Sequence, residues 1–78
     1  MEITVQGVQK AQRRVENCAL MAAHMAWERG GISPNRINGE EIFAGIALGY
    51  LRRNEKEQRP TYRITALGRA ALSDLGIL

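Results

Sequence analysis

Apolar residues recur at helical spacing through the first third of the chain. Val8, Ala11, Val15, Cys18, Ala22 and Met25 follow one another at 3-4-3-4-3 intervals. That spacing predicts a helix over residues 8–29 with a heptad-like stripe. A second apolar set, Ala19, Leu20, Ala23, Ala26 and Trp27, fills the neighbouring faces of its later half. The helix is therefore expected to be amphipathic early and mostly buried late. Gly30-Gly31 ends it. Ahead of it, Met1, Ile3 and Val5 alternate with Glu2, Thr4 and Gln6. This brief pattern reads as a short strand, or Thr4 is the N-cap of a helix already under way.

The pattern changes after the glycine pair. Ser33 followed by Pro34 is a helix start, and Ile32 and Ile37 have the spacing of a hydrophobic staple, so one short turn is expected over 33–37. Asn38 with Glu41 three residues on gives a second start. A helix over 39–48 follows, with Ile42, Phe43, Ile46 and Ala47 as its expected buried face. Gly49 is its left-handed stop.

Two short extended runs then flank a polar turn. Tyr50–Asn54 and Thr61–Thr65 read as the strands of a hairpin over 50–65, with Glu55–Pro60 as the turn. Period-two alternation puts Tyr62 and Ile64 inward and Thr61, Arg63 and Thr65 outward. Thr65 is the N-cap of a last helix over 66–75, whose apolar side is Leu67, Ala71, Leu72 and Leu75. Gly76 ends it. Ile77 and Leu78 are expected to fold back onto the core or to reach a partner. The fold class is α+β and mostly helical, in one domain over 1–78.

With 78 residues, such a chain buries only about 60% of its unfolded surface, so its core is marginal. Cys18 is the only cysteine, so no disulfide reinforces the core; it reads as a small apolar residue in a reducing compartment. Self-association is the remaining reinforcement. The small residues in the stripe allow close helix approach, and Val8, Ala11, Val15 and Cys18 are the expected contact with a second copy. No run approaches the ~18 apolar residues of a membrane span, and no basic, apolar signal segment opens the sequence. The expected location is cytoplasmic.

Charge changes the picture more than composition does. Residues 1–51 hold five basic and five acidic side chains. Residues 52–69 hold Arg52, Arg53, Lys56, Arg59, Arg63 and Arg69 against Glu55 and Glu57, a local excess of +4, and Asp74 returns the total to +3. A concentrated basic stripe suits a polyanion; a hairpin kept basic for solubility is the plainer alternative. Chemistry for catalysis is missing. His24 is the single histidine and has no second candidate ligand close in sequence, and no glycine-rich loop follows a strand. No cofactor, metal or enzymatic activity is expected.

The run Gly49-Tyr-Leu-Arg-Arg53, a charged turn, then Thr61-Tyr-Arg-Ile-Thr-Ala-Leu-Gly-Arg69 resembles winged helix-turn-helix regulators of the MarR and PadR type. The likeness is good over 48–72 and loose upstream. It implies a reduced winged-helix domain, with Glu40–Leu48 as the recognition helix, the hairpin as the wing and Ala66–Leu75 as the closing helix. It also implies double-stranded DNA as partner and a homodimer as the binding form. Phosphate contacts would come from Arg52, Arg53, Lys56, Arg59 and Arg63. The interval from Gly31 to Gly49 is too short for a full helix pair. The recognition helix offers Glu40, Glu41 and Ala44, where a groove reader needs Arg, Lys, Asn or Gln. Asn35, Arg36 and Asn38 are the residues left for base edges. Two functions therefore stay open. One is a small DNA-binding regulator acting through a basic wing. The other is a winged-helix module that binds a host protein, an adaptor or inhibitor carried by a phage or other mobile element.

Overall fold

The elements follow in the order α1 (Val5–Arg29), α2 (Gly39–Ala47), β1 (Leu51–Asn54), β2 (Thr61–Ile64) and α3 (Ala66–Asp74). The structure is a computed structural model and describes residues 4–33, 39–55 and 60–78. The architecture is α+β and mostly helical, with a long first helix, a two-stranded antiparallel hairpin and a closing helix. The short turn expected over 33–37 lies outside the described residues except for Ser33.

Helix α1 starts earlier than its apolar stripe. Thr4 is the N-cap, extended at ψ 155°, and its hydroxyl accepts from the Gly7 N–H at 3.0 Å. Of the two readings of the first residues, the cap therefore holds from Thr4 onward. A capped end satisfies a donor that a short strand without a partner leaves open. At the other end Gly30 takes φ 69°, a left-handed stop. The chain turns there into Ile32, which the sequence pattern assigned to a staple. Ile32 bridges β2: its N–H donates to the Tyr62 carbonyl, and the Tyr62 N–H donates back, both at 2.9 Å; its expected staple partner, Ile37, lies outside the described residues. Tyr62 thus lies between Arg53 of β1 and Ile32.

The core is narrow and made largely of small residues. Ala22, Ala26, Ile32 and Leu51 form its centre, with Met25, Tyr62 and Ile64 packed against them. Ala19 and Ala23 of α1, Ile42 and Ala44 of α2 and Leu72 of α3 are buried around it. Small side chains bury little area each, but they let elements approach closely. Gly45 shows how closely: a Cβ there would stand 2.6 Å from the Leu51 side chain.

That close approach decides which way α2 faces, and it overturns the expected burial. Ile42, Ala44 and Gly45 are inside. Phe43 is 78% exposed, and Ile46 and Ala47 are also exposed. At 100° per residue, Phe43, Ile46 and Ala47 share one arc, and the small pair Ala44-Gly45 lies across from it. The small arc faces inward because it admits α1 and Leu51; Phe43 on that side would hold them apart. Helix α3 repeats the choice. Its buried residues are Gly68 and Leu72, and the expected core residues Leu67 and Leu75 are exposed. Trp27, placed with the buried set of α1, is also exposed.

One hydrogen-bonded junction sets the hairpin on the helices. The Thr65 hydroxyl donates to the Gly49 carbonyl and accepts from the Gly68 N–H at 3.1 Å. The Thr65 N–H donates to the Tyr50 carbonyl at 3.0 Å, and the Tyr50 N–H donates to the Gly45 carbonyl at 2.8 Å. The chain leaves α2 through Gly49 at φ 77°, as its left-handed stop predicts. Helix α3 then lies directly on Tyr50, and a Cβ on Gly68 would meet the Tyr50 carbonyl oxygen at 2.5 Å. Gly68→Ala is therefore expected to destabilise the fold by about 3 kcal/mol, because a backbone atom cannot give way as a side chain can. Gly39→Ala, where no described atom lies within 4 Å, is expected to change stability by under ~1 kcal/mol and in the stabilising direction. Urea midpoints of the two variants against the parent check both.

Candidate nucleic-acid interface

The hairpin register arranges the arginines. Leu51 pairs with Ile64, Arg52 with Arg63, Arg53 with Tyr62 and Asn54 with Thr61. Successive pairs point to opposite faces. Leu51 is buried and Ile64 and Tyr62 pack against the core, so Arg52 and Arg63 occupy the outer face. They are directly opposite each other, and both are exposed. Arg53 shares the Tyr62 face but stands beyond the core and is exposed as well.

Cβ atoms of directly opposed residues are ~5 Å apart, and like charges there destabilise a hairpin by a few tenths of a kcal/mol to ~1 kcal/mol. An isolated hairpin of four-residue strands would not hold that pair well. Here the base of the hairpin is fixed by the Thr65 junction and by the Ile32 bridge on its other side. The scaffold holds two cations opposite each other on the outer face of the ribbon, an arrangement suited to an anion.

Of the expected phosphate contacts, the described residues thus bring Arg52, Arg53 and Arg63 onto one short ribbon. Lys56 and Arg59 lie outside the described residues, as do Asn35, Arg36 and Asn38. Helix α2 presents Glu40, Phe43, Ile46 and Ala47 outward. No side chain there donates to base edges. Glu40 is instead engaged by α1: Arg14 Nε stands 3.1 Å from Oε1 and Nη2 3.3 Å from Oε2. This two-pronged pair joins residues 26 apart and left no signal in the sequence. Both partners are well exposed, so it contributes little to stability.

The residues expected to meet a second copy line α1 in order. Val8, Ala11 and Val15 are exposed, and Cys18 is half-buried. His24 pairs with Glu28, Nε2 to Oε1 at 3.1 Å, one helical turn away on α1. Among the described residues, no group of three or more His, Cys, Asp or Glu side chains could hold a metal ion. No helix among them is long and apolar enough to cross a membrane.

Arg52→Thr is expected to raise stability by a few tenths of a kcal/mol, because it removes the opposed charge and favours the strand. The gain should shrink to its strand-propensity part when Arg63 is already threonine. A double-mutant cycle by urea denaturation checks this, and equal gains in both backgrounds would show that the two arginines do not interact.

No family model matches the chain, and no curated protein or solved structure matches it.

Proposed function

We propose that the chain is a small DNA-binding protein of winged-helix type, a transcriptional regulator that grips backbone phosphates through its basic hairpin. The observation that carries this reading is the opposed pair Arg52 and Arg63 with Arg53 beside it, all exposed on a ribbon fixed at its base. Lys56 and Arg59, in the sequence that joins the strands, add to the same charge. A two-stranded ribbon can lie along a duplex and place cations beside successive phosphates.

The reading assigns little base recognition to α2. Its outward face is apolar and acidic, and carboxylates beside phosphates are repulsive. Asn35, Arg36 and Asn38 remain the residues for base edges. Affinity should therefore come mainly from counterion release and vary little between sequences.

A second reading, a module that binds a host protein, is favoured by the exposure of Phe43 at 78%. A large aromatic on the outer face of a helix suits a protein partner better than a duplex. A stable complex recovered after nuclease treatment would favour it; partners lost with the nucleic acid would favour the first.

The deciding measurement is a salt titration of binding to mixed-sequence duplex DNA. Replacing Arg52, Arg53 and Arg63 together by alanine is expected to lower the slope of log K against log salt by about 3, with a similar loss on every duplex. Absence of any duplex binding at low salt would sink the proposal, and an unchanged slope would move the contact away from the hairpin.

A further inference from the structure

We infer that the basic surface runs past the hairpin onto the end of α1, where Arg29, Ser33 and Thr61 form a seat for one further backbone phosphate of the duplex. The inference rests on the reading of the hairpin as a DNA contact and adds a site to it.

The seat follows from the register around Ile32. Ile32 bridges Tyr62 in the antiparallel sense, so Gly31 lies opposite Arg63 and Ser33 opposite Thr61. Across the hairpin, Arg63 pairs with Arg52 and Thr61 with Asn54. Ile32 is buried and Tyr62 packs against the core, so the residues on either side of them take the outer face. Two rungs therefore cross that face. One runs Gly31, Arg63, Arg52 and is cationic. The next runs Ser33, Thr61, Asn54 and carries two hydroxyls and an amide.

Gly31 marks the side on which these groups meet. A Cβ there would stand 3.7 Å from Arg63 Cγ and 4.0 Å from Thr61 Cβ. Its φ of 143° favours glycine. With no side chain at 31, the cationic rung ends in a depression lined by Arg29, Gly31, Ile32, Ser33 and Thr61. Arg29 stands in the last turn of α1 and is exposed.

Charge and donor chemistry select the occupant. The lining holds a guanidinium, two hydroxyls and no carboxylate, and the stem of Arg63 passes beside it. Arg, Ser and Thr side chains donate to phosphate oxygens. The depression is continuous with Arg63 and Arg52, so its anion is one of a row. Neighbouring strands are ~4.8 Å apart, and the rung from Gly31 to Arg52 therefore spans ~10 Å. A nucleic-acid backbone supplies charges in such succession; a single acidic side chain of a protein does not.

Salt titration of the whole chain on mixed-sequence duplex tests this. Arg29→Ala is expected to lower the slope of log K against log salt by about 1, because one cation leaves the contact. Arg29→Lys should keep the slope. Lys10→Ala removes an equal charge from the exposed first half of α1 and should leave the slope unchanged. Ser33→Ala with Thr61→Val should weaken binding several-fold at fixed salt with the slope unchanged, because neutral donors release no counterion. A cooperative urea transition verifies that each variant folds. An Arg29 that only complements the carbonyl end of α1 would move the urea midpoint and leave the slope alone. The inference is overturned if Arg29→Ala keeps the parent slope while joint replacement of Arg52, Arg53 and Arg63 lowers it; the hairpin reading then stands without the seat. It is overturned equally if Lys10→Ala lowers the slope as much as Arg29→Ala, which would make the effect one of net charge. A parent that binds no duplex overturns the hairpin reading itself, and the seat with it.

Discussion

Three elements of this fold are held in place by one side chain, Thr65. Its hydroxyl accepts from the Gly68 N–H in the first turn of α3 and donates to the carbonyl of Gly49, just past the end of α2. Its backbone N–H closes on Tyr50, at the entrance to β1. A single residue thereby fixes the end of one helix, the start of another and the base of the hairpin. The bonds are satisfied locally and partly shielded, where hydrogen bonds matter most. The arrangement also requires that α3 press against Tyr50, which only a glycine at 68 permits. The positions of Arg52, Arg53 and Arg63 follow from this junction, since β1 and β2 are anchored at their base.

Closeness replaces volume throughout the core. Four alanines are buried on α1 and Ala44 and Gly45 on α2, Gly45 lies against Leu51, and Gly68 meets Tyr50. The gain is tight contact between backbones; the penalty is that large apolar side chains are left outside. Phe43, Leu67 and Leu75 are exposed for this reason. A domain this small is marginal even when its large residues are inside. Leaving Phe43 on the surface places apolar area on α2, where a DNA reader would carry polar side chains.

Much of the architecture is legible in the chain. The caps Thr4 and Thr65 and the stops Gly30 and Gly49 are local chemistry: each satisfies or releases its own backbone, so each can be read without knowing the fold. The hairpin strands are legible because Tyr62 and Ile64 alternate with Arg63. Facing is not legible in the same way. On α2 Phe43, Ile46 and Ala47 form one arc and Ala44 and Gly45 lie across from it, and the approach of Leu51 to Gly45 marks the arc that faces inward. The bridge of Ile32 to Tyr62 is likewise a contact across 30 residues, with no local mark. For the candidate interface, the charge of Arg52, Arg53 and Arg63 is visible in the sequence, but their opposition depends on the register. A slip of one residue would bring Arg52 opposite a different neighbour and turn Arg63 toward the core.

The separation of the two surfaces constrains any account of function. Three arginines on one ribbon neutralise few phosphates, and each contact weakens as salt rises. A lone hairpin is therefore a weak ligand for DNA under physiological salt. A second hairpin held by the same assembly meets the duplex at high effective concentration and multiplies the affinity without any new contact. That gain is open only to a dimer whose interface avoids both hairpins. A contact over the groove lined by Val15, Cys18, Phe43, Ala44 and Ala47 would meet this condition, since β1 and β2 contribute nothing to its lining. On the proposed reading, the exposed Phe43 and Ala47 make α2 a poor reader of bases and leave the duplex contact to the hairpin. On that reading recognition rests less on base edges than on the charge and register of the hairpin, which the junction at Thr65 sets.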